Sequence, residues 1–83
     1  MATLASVARD RKAQLRQLMT ASRRLDASQE KMEREVKRVA NRKRSVPELA
    51  DADRILSLAR SVESQLGSVT DVLISLATSW GGQ

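Results

Sequence analysis

The side chains of this chain with chemistry to offer are carboxylates and cations. Asp26, Glu30, Glu33, Asp51 and Asp53 are the acids that a paired-carboxylate mechanism would draw on. Lys37, Arg38, Arg42, Lys43 and Arg44 form the densest cationic group. There is no Cys and no His, which removes disulfides, thiolate and imidazole metal ligands, and the usual general base. Several acids stand beside bases at helical spacing, as in Glu30–Arg34 and Glu33–Lys37. That i,i+4 pattern is the one of ion pairs on an exposed helix face. Surface pairing accounts for the acids without catalysis, so no enzyme, cofactor, metal or small-molecule substrate is expected.

The cationic group admits two readings. Its residues would neutralise phosphates, giving salt-dependent binding to a nucleic acid or another anion. They also sit where a first helix would end, and positive charge there complements the helix dipole. The chain has one Trp and no Phe or Tyr, so the aromatics that stack on single-stranded bases are missing. The helix-end reading is preferred. Charge is unevenly distributed: residues 1–45 carry 13 Lys/Arg against 5 Asp/Glu, and residues 46–83 carry 2 against 5. Two helices packed side by side would attract along such a division.

Those charges must be positioned by helices. In the first segment, Leu4, Arg11, Leu18, Leu25, Met32 and Val39 form one row at seven-residue spacing, and Ala8, Leu15, Ser22, Gln29 and Val36 form another. Rows three and four residues apart make the apolar seam of a coiled coil. Neither Gly nor Pro interrupts residues 1–46, and one helix is predicted over about residues 3–41. The second segment repeats the pattern with Ala52, Ala59, Leu66, Leu73 and Trp80 beside Ile55, Val62, Val69 and Leu76. A helix over about 46–79 is expected, stopped by Gly81 and Gly82.

Between them, Ser45-Val46-Pro47-Glu48 has the spacing of a capping box, with Pro47 tolerated in the first turn. A turn over 42–47 is short, so the helices should lie antiparallel. The expectation is a single all-α domain over residues 1–83, an antiparallel two-helix hairpin with a coiled-coil-like seam. The competing arrangement is one continuous helix through Pro47 in an intermolecular coiled coil. In the hairpin, facing residue numbers should sum to about 89. Ser22 would then oppose Gly67, small against small, and Gln29 would oppose Arg60.

The second helix has more apolar surface than one seam needs. Leu49 and Leu56 are expected on one flank of the seam, Leu58 and Val72 on the other, and Ile74 further out. A helix apolar on so many sides is buried on more than one of them. These five residues, with Trp80 as an aromatic anchor, form the candidate partner-binding set. Trp80 would otherwise close the seam over Leu4 and Ala8, with Arg11 near its face. No apolar run approaches the roughly 18 residues of a membrane span, and no signal-peptide layout is present, so a cytoplasmic chain is expected.

The stretch Leu58-Ala59-Arg60-Ser61-Val62-Glu63-Ser64-Gln65-Leu66-Gly67-Ser68-Val69, continuing to Leu73 and Leu76, resembles the second helix of the YscE/PscE-like co-chaperones of type III secretion needle subunits. The resemblance covers that helix and the hairpin layout; this chain is more arginine-rich and ends its helix on Trp80. It implies a helical-repeat partner and a needle subunit kept from premature polymerisation. Three functions therefore follow from the sequence: an adaptor or chaperone subunit docking on a helical protein, a basic coiled-coil module binding nucleic acid, or a self-assembling structural protomer.

Overall fold

Thr3 opens the first helix by accepting the Ser6 N–H at 3.0 Å on its hydroxyl, which satisfies one of the amides that a helix start leaves unpaired. The computed structural model describes residues 3–81. Helix α1 runs Leu4–Ala40 with Asn41 as its C-cap, and helix α2 runs Leu49–Gly81. They pack antiparallel in a rod of 67 × 17 × 12 Å, the expected all-α hairpin, and no strand occurs among the described residues. Among the described residues, no helix is long and apolar enough to cross a membrane.

The connection differs in detail from the expected one. Helix α2 begins at Leu49 rather than 46, leaving Ser45 and Pro47 in the turn. The capping acid is Asp51, whose Oδ2 accepts the Glu48 N–H at 2.9 Å, while the Glu48 carbonyl accepts from the Asp51 and Ala52 amides. Asp51 thus reaches back to the cap amide as a capping-box acid does, three residues later than expected. It is chosen because it also pairs with Arg42 and Arg54, which Glu48 does not. At the other end, Gly81 is the last helical residue; the expected stop at Gly82 lies outside the described residues.

The seam is shifted by one row on each helix. In α1 the row from Leu18 to Val39 faces inward as expected, but its inward companion is Val7, Gln14, Ala21, Ser28 and Glu35. Ala8, Leu15, Ser22, Gln29 and Val36 are exposed. In α2 the row Ile55, Val62, Val69, Leu76 is joined by Asp51, Leu58, Gln65 and Val72, while Leu66 and Leu73 are outside. Both helices therefore turn their more polar flank inward. The expected contact of Ser22 with Gly67 is absent, since a Cβ on Gly67 would meet nothing within 4 Å, and Gln29 and Arg60 are likewise exposed. Buried Ala21 supplies the small residue of the seam instead. Partners across the seam have numbers summing to between 89 and 94: Glu35 with Arg54, Arg42 with Asp51, Gln14 with Trp80.

Little is fully enclosed. The buried apolar residues among those described are Ala21, Val39 and Leu76. The chain exposes 6740 Å², against roughly 4,900 Å² for a compact globular protein of its mass.

Candidate interaction surface

Heptad geometry divides the outside of the hairpin into two edges. On one edge Gln17, Arg24 and Arg38 of α1 neighbour Arg54, Ser68 and Ser75 of α2. A shallow recess lined by Gln17, Ala21, Arg24, Ser68 and Val72 and the Glu35–Arg54 bond both lie on this side. It is polar and cationic. In an antiparallel pair the outer rows beyond the opposite flank must share the other edge. Those rows hold Ala8, Leu15, Ser22, Gln29 and Val36 from α1 and Ala52, Ala59, Leu66 and Leu73 from α2.

Exposure confirms that this second edge is wet. Leu15 is 45% exposed, Val36 42%, Leu66 51% and Leu73 47%. Met19 of α1 and Leu49 and Leu56 of α2 occupy the next rows outward on the same side, with Lys12, Asp26, Glu33 and Glu63 in the same rows, and all are exposed. Aliphatic side chains from both helices thus share one long edge, interrupted by Ser22, Asp26, Gln29 and Glu33 on α1 and by Glu63 on α2, whereas isolated exposed leucines are ordinary on any surface.

The six candidate partner residues separate on this geometry. Leu49 and Leu56 lie on the apolar edge. Leu58 and Val72 do not flank the seam but form part of it and are half-buried. Ile74 is exposed on the side of α2 turned away from α1. Trp80 is half-buried across the end of the seam, donating its indole N–H to Gln14 Oε1 at 2.7 Å, with the Arg11 guanidinium 5.2 Å from its ring centre. That is cation–π range. Arg11 lies near the indole face as expected, but Leu4 and Ala8 are left exposed, and Trp80 closes the seam on Gln14 instead. Leu15, Met19, Val36, Leu66 and Leu73 were not among the candidates. Heptad spacing predicts four of the five, Leu15, Val36, Leu66 and Leu73, in the seam, and their apolar character is the signal, since this seam does not use it.

At the turn, ion pairs within the hairpin engage three of the five clustered cations. Lys37 lies 3.2 Å from Glu33, and Arg38 makes a two-pronged contact with Glu35 through Nη2 at 2.5 Å and Nε at 3.1 Å. Arg42 bonds Asp51 through Nη2, while its buried Nε has no acceptor. Lys43 and Arg44 are exposed in the turn. Asp51, only 5% exposed, receives the Glu48 amide, Arg42 and Arg54, and Glu35 receives Arg38 and Arg54. Two carboxylates and three guanidiniums therefore form one network joining the helices where they meet the turn. The Glu48 amide and Arg42 hold the Asp51 carboxyl below its ordinary range. The Arg38 bond, with Arg54 adding to it, lowers Glu35 from 4.5 to about 2. Carboxylates held ionised by neighbouring cations cannot act as general acids near neutral pH.

Comparison with known protein families, with curated proteins and with solved structures finds no match for this chain.

Proposed function

We propose that this chain is a small, non-enzymatic, cytoplasmic adaptor or chaperone subunit that binds a helical protein along its apolar edge. The observation that carries this reading is the placement of Leu15, Val36, Leu66 and Leu73, half-exposed on both helices and on the same side. Each helix has three inward-grade rows, the width a helix shows in a multi-helix bundle, whereas a two-stranded seam uses two. A further helix seated along this edge would restore the missing third contact. The resemblance of Leu58 to Leu76 to needle co-chaperones supports the same kind of work, holding an assembly-prone helical subunit apart.

The test is recovery of the chain with its partner from its native host, followed by reconstitution of the purified pair. Replacing Leu66 and Leu73 with Ser should weaken the reconstituted complex at least tenfold while circular dichroism stays helical. Replacing Lys43 and Arg44 with Gln should leave it within twofold. If the Leu66/Leu73 variant binds as tightly as the parent, the edge is not the partner site. Tight, salt-sensitive binding of DNA or RNA that is lost with Lys43 and Arg44 would replace this reading with the nucleic-acid one.

A further inference from the structure

We infer that the helix seated on the apolar edge is amphipathic with a basic middle: an apolar contact stripe carrying Lys or Arg on both of its flanks at mid-contact. The inference rests on the reading of this edge as the docking surface and adds the chemistry of what it takes. The edge is layered along its length. At the end away from the turn it holds Leu15, Met19 and Leu73, and near the turn Val36 and Leu56. Between these ends the α1 row beside the seam carries Ser22 and Gln29, with Leu66 across from them on α2. The rows outside carry Asp26 and Glu33 on α1 and Glu63 on α2, forming the two rims.

The positions of these acids decide what they can meet. Asp26 and Glu63 have numbers summing to 89, as do Glu35 and Arg54, which bond across the seam. They therefore stand at one height on opposite rims, one to each side of a helix laid between them. Rim positions of this kind are where packed helices exchange ion pairs. Neither acid makes an ion pair among the described residues. Cations in the α1 row behind the rim are engaged elsewhere: Lys37 lies 3.2 Å from Glu33, and Arg23 donates to the Met19 sulfur at 3.3 Å. Behind Glu63, Asp53 and Arg60 share the outward row of α2 and cancel. Lys12 on the α1 rim is two heptads from Asp26, about 21 Å along the helix, too far to neutralise it. Charge complementarity at this height therefore selects a partner with cations on both flanks. A second copy cannot supply them from its own edge. The acids lie near mid-length, so two such edges laid together bring acid beside acid.

The probes are synthetic helical peptides of three heptads, the span from Leu15 to Val36, with identical leucine stripes and Lys, Gln or Glu at the central flanking positions. Isothermal calorimetry measures their binding to the purified chain at low and high salt. At low salt the Lys peptide should bind at least tenfold more tightly than the Glu peptide, and added salt should narrow the gap. Asp26→Asn/Glu63→Gln should level the order, and Asp26→Lys/Glu63→Lys should reverse it. Glu30→Lys/Asp53→Lys makes the same change of net charge on rows turned away from the edge, and should keep the parent's order. A Lys peptide that does not bind, or a reversal by Glu30→Lys/Asp53→Lys as complete as by the rim variant, overturns the inference. A parent that sediments as a dimer held by Leu66 and Leu73 also overturns it, by placing a second copy on the edge. Three peptides that bind equally, and all weaken with Leu66→Ser/Leu73→Ser, overturn the basic middle while leaving the edge as the docking surface. A Lys peptide whose affinity Leu66→Ser/Leu73→Ser leaves unchanged removes the edge reading itself.

Discussion

Asp51 does more than any other side chain to shape this hairpin, because it joins three tasks in one carboxylate. It accepts the cap amide of Glu48, and it pairs with Arg42 from the turn and Arg54 from its own helix. Glu35 extends the network through Arg54 and Arg38. Both acids ionise more readily in the folded chain than in the unfolded one, Glu35 at about 2 instead of 4.5 and Asp51 below its ordinary 3.8. A lowered carboxylate contributes stability that is fully present above its unfolded value and lost as pH falls through its folded value. The thermal midpoint should therefore hold steady above pH 4.5 and drop as pH falls toward 2. Glu35→Gln with Asp51→Asn should lower the midpoint at neutral pH and flatten that acid slope, read by circular dichroism across the range. A double variant as steeply acid-sensitive as the parent would show that these carboxylates are not what acid disrupts.

At the scale of elements, each helix carries three rows capable of burial and the hairpin uses two. The rows through Leu25 and Val62 are inward on either choice of partner row, since one lies three residues away and the other four. Leu76 shows what the inward position is worth: it is buried, and truncating such a leucine leaves a cavity. Leu76→Ala should cost about 2–5 kcal/mol. Leu66→Ala, at a half-exposed position, should cost well under half of that in urea titrations at concentrations dilute enough to keep the chain single. Comparable losses from the two substitutions would mean that the rows are inverted and that Leu66 is in the seam.

The whole molecule is a rod 67 Å long and 17 Å by 12 Å in section, with a polar cationic edge and an apolar one. Spin labels at positions 15 and 73 distinguish the hairpin from an unbroken helix through Pro47. In the hairpin the labels sit nearly side by side, separated by a distance close to the 17 Å section. In an unbroken helix, at 1.5 Å per residue, they would be on the order of 90 Å apart. A dominant long distance in a sample diluted with unlabelled chain would remove the hairpin. Much of this form was legible in the residues themselves. Seven-residue spacing marked both helices, the break at Ser45–Pro47 placed the turn, and the absence of Cys and His narrowed the chemistry. All of these are local signals, set by backbone geometry and side-chain type within a few residues. Which flank of each central row turns inward was not local. By apolar content alone, Leu15, Val36, Leu66 and Leu73 belong inside, ahead of Gln14, Glu35, Asp51 and Gln65. In the folded chain the other flank faces inward, and there Asp51 meets Arg42 across the turn and Glu35 meets Arg54 across 19 residues. Those ion pairs exist only once the helices lie together, so no local spacing announces them. Periodicity thus located the apolar rows, and tertiary pairing decided which of them remained exposed on one edge.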